Sequence, residues 1–278
     1  MNAGLRERIE GYGALPPESL GEEARAAFEE LLRALESGEA RAAEPAADGW
    51  RVNAWVKRGI LLGFRIGSVV ELEPAGPLRF FDKDTLPPRG LTLVDRVRVV
   101  PGGTAVRAGA HLAPGVVIMP PAYVNVGAYV GEENLIDSHA LVGSCAQVGR
   151  RVHVSAGAML GGVLEPVGAL PVIVEDEVLV GGNCGVYEGT LVGRRAVLGA
   201  GVVLTGSTTV FDVVRKATYR RQGSAPLRIP EGAVVVPGTR RLADAFAEKH
   251  GLGLAAPVIV KYRDEKTDAA TALEEALR

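Results

Sequence analysis

Residues 123–160 read YVNVGAYVGEENLIDSHALVGSCAQVGRRVHVSAGAML. Counting by sixes through this stretch lands on Val124, Val130, Ile136, Val142, Val148, Val154 and Leu160, all aliphatic. The count extends upstream through Ile118, Leu112 and Val106. It breaks once inside 161–172 and resumes at Val174, Val180, Val186, Val192, Leu198, Leu204 and Val210. Four residues after a stop the side chain is usually small, as at Ala128, Ala140, Ala146, Ala158, Cys184 and Ala196, and Gly often follows the stop directly. A period of six fits neither an α-helix nor an alternating strand; it is the signature of a parallel β-helix. Each hexad then supplies one flat face and one corner, three hexads close a coil, and residues 18 apart stack. At ~4.8 Å per strand, five to six coils make a prism roughly 27 Å tall. The expected fold class is mainly β. A hexapeptide β-helix over 96–212, with a loop at 161–172, follows a mostly helical N-terminal α/β domain (1–95) and precedes a C-terminal capping segment of strands and helix (213–278). The repeat by itself does not fix the handedness of the coil.

Working outward, Ser19 with Glu22 predicts a capping box, and Leu20, Ala24, Ala27, Phe28, Leu31, Leu32 and Leu35 form a helical stripe that stops at Gly38. Residues 40–47 read as a linker. Residues 49–64, GWRVNAWVKRGILLGF, read as a helix or a helix ending in a strand, packing through Trp50, Trp55 and Phe64 with Lys57 and Arg58 solvated. The first coil is expected near Val94 or Val100. The break, GGVLEPVGALP at 161–171, is rich in Gly and Pro and should leave the prism as a loop; loops on rigid scaffolds often carry function. After Val210 come the basic pairs Arg215-Lys216 and Arg220-Arg221, a strand within 230–238, a last strand at Val258–Tyr262 and a terminal helix at Thr267–Arg278. This tail is expected to cap the open end of the prism.

The chain has 278 residues and a formal net charge of −2 with mixed signs, so nothing demands nucleic acid or an anionic membrane. Cys145 and Cys184 both fall in the prism and read as buried free thiols of a reducing compartment. With no signal pattern and no apolar run long enough to span a bilayer, the expected location is cytoplasmic.

The stretch MPPAYVNVGAYVGEENLID at 119–137, continued by VGSCAQVGRRVHVSAGAMLGGVLEP at 142–166, closely resembles the tetrahydrodipicolinate N-succinyltransferase family. RVRVVPGGTAVRAG at 96–109, Tyr187-Glu188-Gly189 and the Gly206–Asp212 segment are similar too, so the resemblance covers about residues 50 to 262. It implies a homotrimer of left-handed β-helices with active sites between neighbouring subunits, succinyl-CoA lying in the groove as co-substrate, a small dicarboxylate as acceptor, and no metal. By position, Arg98 matches a substrate-binding arginine and Asp137 an active-site aspartate. Two motifs depart. The family's Asp-Thr-Trp is here Asp137-Ser138-His139, and its S-E-V-V-E-G is Cys184-Gly185-Val186-Tyr187-Glu188-Gly189. The first glutamate of that motif, often given a catalytic role, is therefore Gly185, and only Glu188 remains.

Acyl transfer to an amine needs a base for the amine proton and donors for the thioester oxyanion. Asp137 follows Ile136 in a slot where other hexads have Gly; it is a base or a corner cap. Glu188 is a base or a structural ion-pair partner, and His153 is a third candidate base. Arg98 has the fork that grips a carboxylate, or is a surface charge. Ser155, Gly161 and Gly162 either line the path of the coenzyme arm or serve as corner and loop residues. Lys216 and Arg220, with Arg215 and Arg221, either meet coenzyme phosphates or are solvated. His111 reads as structural, and the gaps His111–His139–His153 fit a three-histidine metal site poorly. The leading reading is an N-succinyltransferase. The alternatives are an N-acetyltransferase of the same pathway, a sugar-nucleotide N-acyltransferase and a non-catalytic hexapeptide scaffold.

Overall fold

An inward aliphatic every sixth residue leaves room for strands of only two residues, one outward and one inward, and the prism is built of such rungs. The structure, a computed structural model, describes residues 2–47, 49–73, 78–223 and 225–264. Among the described residues the first face stacks Ala105–Val106, Tyr123–Val124, Leu141–Val142, Met159–Leu160, Gly185–Val186 and Val203–Leu204. The second face stacks His111–Leu112, Tyr129–Val130, Gln147–Val148, Ile173–Val174, Leu191–Val192 and Arg228–Ile229. The third runs from Arg98–Val99 through Val117–Ile118, Leu135–Ile136, His153–Val154, Leu179–Val180 and Val197–Leu198 to Ala233–Val236. All rungs are parallel, and every counted stop from Val106 to Val210 is buried in one continuous core. Val130 pairs with Val148, 18 residues on, whereas Val148 pairs with Val174, 26 on (174 − 148), because the loop at 161–172 is inserted between those rungs.

The ends of the count shift. The first rung is Arg98–Val99 against Val117–Ile118, a 19-residue step (118 − 99) that makes room for Pro101-Gly102-Gly103. Val94, offered as a possible start, lies in a 3-10 turn and is 88% exposed. Val210 is buried but is not a rung. Its strand, Val210–Asp212, turns back on Ala217–Tyr219, after which the chain returns to add Arg228–Ile229 and Ala233–Val236. The rungs therefore continue past residue 212. Val258–Tyr262 lies antiparallel on Ala233–Val236 and sends Ile259 into the core. The terminal helix expected at 267–278 lies outside the described residues.

Ahead of the prism come helices α1 (Asn2–Gly13), α2 (Glu22–Ser37) and α3 (Ala54–Ile66). The capping box does not form: Ser19 ends a 3-10 turn and Gly21 caps α2 without a side-chain bond. Gly38 does end α2, in the left-handed conformation (φ 81°) that glycine adopts freely. The supposed linker is half of a hairpin, Ala43–Ala46 against Gly49–Val52, so 49–64 is a strand followed by a helix.

This N-terminal unit docks on the second face and on the corner between the first and second faces. Ala108, Val126 and Cys145 sit on that corner and join the helix core of Phe28, Leu31, Trp55 and Ile60. Cys145 therefore lies outside the prism interior, and burial pushes its thiol pKa up to about 12. Ala43 and Trp50 pack on the outward Ile173 and Leu191, and Arg41 donates from Nε to Gln147 Oε1 at 3.0 Å. The loop at 161–172 leaves the prism as expected and lies against the N-terminal unit, with Leu164 against the helix core. Lys57 is wholly buried rather than solvated. It donates from Nζ to the Ala169 carbonyl at 2.7 Å, and burial lowers its pKa. Arg58 is exposed and pairs with Glu10 at 3.3 Å.

Candidate active site

Asp137 and Ser155 each open a turn at the corner between the third and first faces, directly above one another because Ile136 pairs with Val154. The Asp137 backbone N–H donates to Val154 O at 2.9 Å, and its Oδ1 accepts from the Ser138 N–H at 2.7 Å. Its Oδ2 lies 3.8 Å from His153 Nε2, the imidazole being the outward residue one rung above Leu135. Two groups that the sequence offers as rival bases thus stand side by side, the imidazole mostly buried and the carboxylate about one-third exposed. Arg98 projects from the first rung of the same third face, exposed, and among the described residues its guanidinium has no hydrogen-bond or ion-pair partner. Two rungs separate it from Leu135, ~9.6 Å along the axis.

The other edge of the first face carries Gly161, Gly162, Tyr187 and Glu188. Glu188 accepts a hydrogen bond at Oε2 from the Gly206 backbone N–H, which ties its carboxylate to the turn one rung above. The glycines here are filled against rather than open. A β-carbon on Gly161 would lie 2.6 Å from Tyr187 Cδ1, and one on Gly162 would lie 2.8 Å from the Ser144 nitrogen. Asp137 and Glu188 stand on opposite edges of one face and two rungs apart, so a single chain does not bring them together. Between those edges the outward column is Ala105, Tyr123, Leu141, Met159, Gly185 and Val203, nearly all apolar. Lys216 and Arg220 are exposed on the Val210–Tyr219 hairpin and just after it. Their neighbours are already engaged: Arg215 stacks on Tyr262 at 3.7 Å and Arg221 donates to Gly223 O at 3.2 Å.

A cleft of about 630 Å³ opens elsewhere, between the N-terminal unit and the second face, and none of the sequence-predicted site residues lines it. Within it Arg41 stacks on Tyr129 at 3.6 Å, the His111 and Tyr129 rings stack with centroids 4.4 Å apart, and Trp50 Nε1 donates to Glu175 at 3.1 Å. His111 also donates from Nδ1 to Glu36 O at 2.8 Å, in keeping with a structural role. Sequence reasoning missed Arg41 because residues 40–47 read as a linker. The available signal was Tyr129 on the outward position of a rung, where a ring needs a cover. Among the described residues no three His, Cys, Asp or Glu side chains gather as a metal site, and no helix is long and apolar enough to cross a membrane.

Comparison with known proteins bears on the whole length. The family model for the tetrahydrodipicolinate N-succinyltransferase N-terminal region matches residues 7–66, and that for the hexapeptide repeat of succinyl-transferase matches residues 171–206. A 2,3,4,5-tetrahydropyridine-2,6-dicarboxylate N-succinyltransferase from Bradyrhizobium diazoefficiens is 42% identical over 264 residues, 92% of this chain and 90% of that protein. Proteins of the same name from Methylorubrum populi (41% over 260 residues; 91% and 90% covered) and Polynucleobacter asymbioticus (40% over 279 aligned positions; 99% and 97%) are similarly related. Identity of this level across nearly the full length of both partners means that the chain belongs to the tetrahydrodipicolinate N-succinyltransferase family.

Proposed function

We propose that the protein transfers the succinyl group of succinyl-CoA to the amino group of ring-opened tetrahydrodipicolinate, a step toward diaminopimelate and lysine. The observation that carries this reading is the near end-to-end identity, about 40%, with proteins bearing that name. In the reaction the amine lone pair attacks the thioester carbon, the C–N bond forms, the C–S bond breaks, and coenzyme A leaves as the thiolate. The amine proton passes to a base and from there to the thiolate. Asp137 is the base: its Oδ2 faces His153 and is partly open to solvent, whereas the Glu188 carboxylate already holds the Gly206 amide. Arg98, a cation without a partner among the described residues, grips a carboxylate of the acceptor. Ser155, stacked on Asp137, and Gly161 and Gly162 on the opposite edge border the path of the donor arm, with Lys216 and Arg220 toward its phosphates.

The working form in this reading is a cytoplasmic homotrimer of left-handed coils, capped at the end by Val258–Tyr262. Its site lies between neighbouring prisms, a reading supported by the placement of Asp137 and Glu188 on opposite edges of one face. A thiol-release assay with succinyl-CoA, acetyl-CoA and other acyl-CoA donors, with tetrahydrodipicolinate or 2-aminopimelate as acceptor, tests the assignment. Turnover only with acetyl-CoA would move it to an N-acetyltransferase. Turnover only with a sugar-nucleotide amine, or none at all, would move it to the remaining alternatives. Asp137→Asn is expected to lower kcat by ~10²–10⁴ with melting unchanged. Wild-type turnover in Asp137→Asn alongside a dead Glu188→Gln would reverse the order of the two carboxylates.

A further inference from the structure

Position 185 is an outward slot on the first face with no side chain of its own, and Tyr187 occupies it. A β-carbon on Gly185 would lie 2.5 Å from Tyr187 Cε2 and 3.1 Å from its Oη, while one on Gly161, a rung lower, would lie 2.6 Å from Cδ1. The ring is therefore laid across two glycines, and only residues without a β-carbon admit it there. Around it the outward column is apolar, with Leu141, Met159 and Val203. Tyr187 is half-buried, and among the described residues its hydroxyl makes no hydrogen bond. Its oxygen is not among the buried polar atoms left without a partner, so the hydroxyl remains open to a ligand lying over this face. The face on which it lies is the one bordered by Asp137 and Ser155 on one edge and by Glu188 on the other.

We propose that the Tyr187 hydroxyl is the polar group of the acyl-transfer site at position 185, donating a hydrogen bond to the thioester carbonyl oxygen as it gains negative charge. The inference rests on the acyl-transfer reading above. A phenolic O–H acts here as a hydrogen-bond donor and not as a base. Its proton stays on Oη throughout. The electron pair pushed onto the carbonyl oxygen by amine attack is stabilised until the carbonyl re-forms and the thiolate departs. Replacing a carboxylate at 185 by this phenol changes the slot from acceptor to donor and leaves proton removal to Asp137.

Tyr187→Phe keeps the ring over both glycines and removes only the hydroxyl. In the full-length enzyme, assayed by thiol release with succinyl-CoA, kcat should fall about 100-fold, the size of effect seen when one oxyanion donor is lost. KM for the donor should stay within about twofold, because the bond strengthens only as charge develops, and the melting temperature should be unchanged. Wild-type kcat in Tyr187→Phe, or a loss confined to KM, overturns the proposal. Either result together with an inactive Asp137→Asn leaves the acyl-transfer reading standing. A wild-type enzyme inert with every acyl-CoA overturns both.

Discussion

The second and first faces of the prism are made by the same repeat, yet they meet different surroundings. On the second face the outward Gln147, Ile173 and Leu191 are buried, because Arg41, the 43–52 hairpin and the loop at 161–172 cover them. On the first face the outward Tyr123, Leu141 and Met159 are only half-buried and Val203 is 48% exposed. The first column is largely apolar, whereas the second mixes His111, Gln147 and Arg228 with Tyr129, Ile173 and Leu191. The chain thus brings its own cover for the middle of one face and leaves the other only partly covered, which is the surface that the proposed trimer would use. The two columns are both outward, and neighbouring positions in them, such as Leu141 and Gln147, are six residues apart in sequence.

The sharpest way to break the comparison is to strike what both faces share. Val148→Asp places an unpaired carboxylate in the dry interior, and we expect no soluble folded protein; normal melting would mean that the inward register is wrong. Next comes the paired test of the faces themselves. Ile173→Asp, on the covered face, should cost about 3–5 kcal/mol in chemical denaturation as a buried charge without a partner. Leu141→Asp, on the first face, should leave that denaturation within about 1 kcal/mol of wild type and abolish trimers in light scattering. If the two variants behave alike, the faces are not distinct.

The mildest test concerns the clamp on the covered face. Burial lowers the Lys57 pKa below its ordinary value of about 10.4. Between the folded and unfolded values the unfolded chain carries a proton that the folded chain lacks, so stability rises with pH across that window. Urea midpoints measured from about pH 8 to 10 should therefore rise for wild type relative to Lys57→Met. Parallel profiles would show that the amine keeps its ordinary pKa.

The prism was legible because its inward slots admit little besides aliphatic side chains, and the break at 161–172 because Gly and Pro replaced them. The docking of the N-terminal unit was harder to see. Its clearest trace is apolar Ala108 and Val126, 18 residues apart on a corner where solvent-facing side chains are ordinary. Lys57 read as solvated since its partner, the Ala169 carbonyl, lies 112 residues away. Among the candidate site residues, Asp137 stood out by occupying a glycine slot. Its neighbour His153 was within reach of the same arithmetic, being 18 residues after Leu135. Tyr187 was not, because no rule of spacing says that a ring after a stop will fold back over a glycine two residues earlier.

The contacts that fasten the N-terminal unit span 106 residues (Arg41–Gln147), 112 (Lys57–Ala169) and 125 (Trp50–Glu175). A regular rung, by contrast, reaches back 18, one across the loop at 161–172 reaches back 26 (174 − 148), and one at the far end 37 (229 − 192). In loop-closure entropy a 112-residue contact costs about 1.6 kcal/mol more than an 18-residue one. Coils can therefore zip upward one on another before the helices come to rest on them. In the finished molecule the same arithmetic makes the helical cover, rather than any rung, the piece whose release returns the most freedom to the chain.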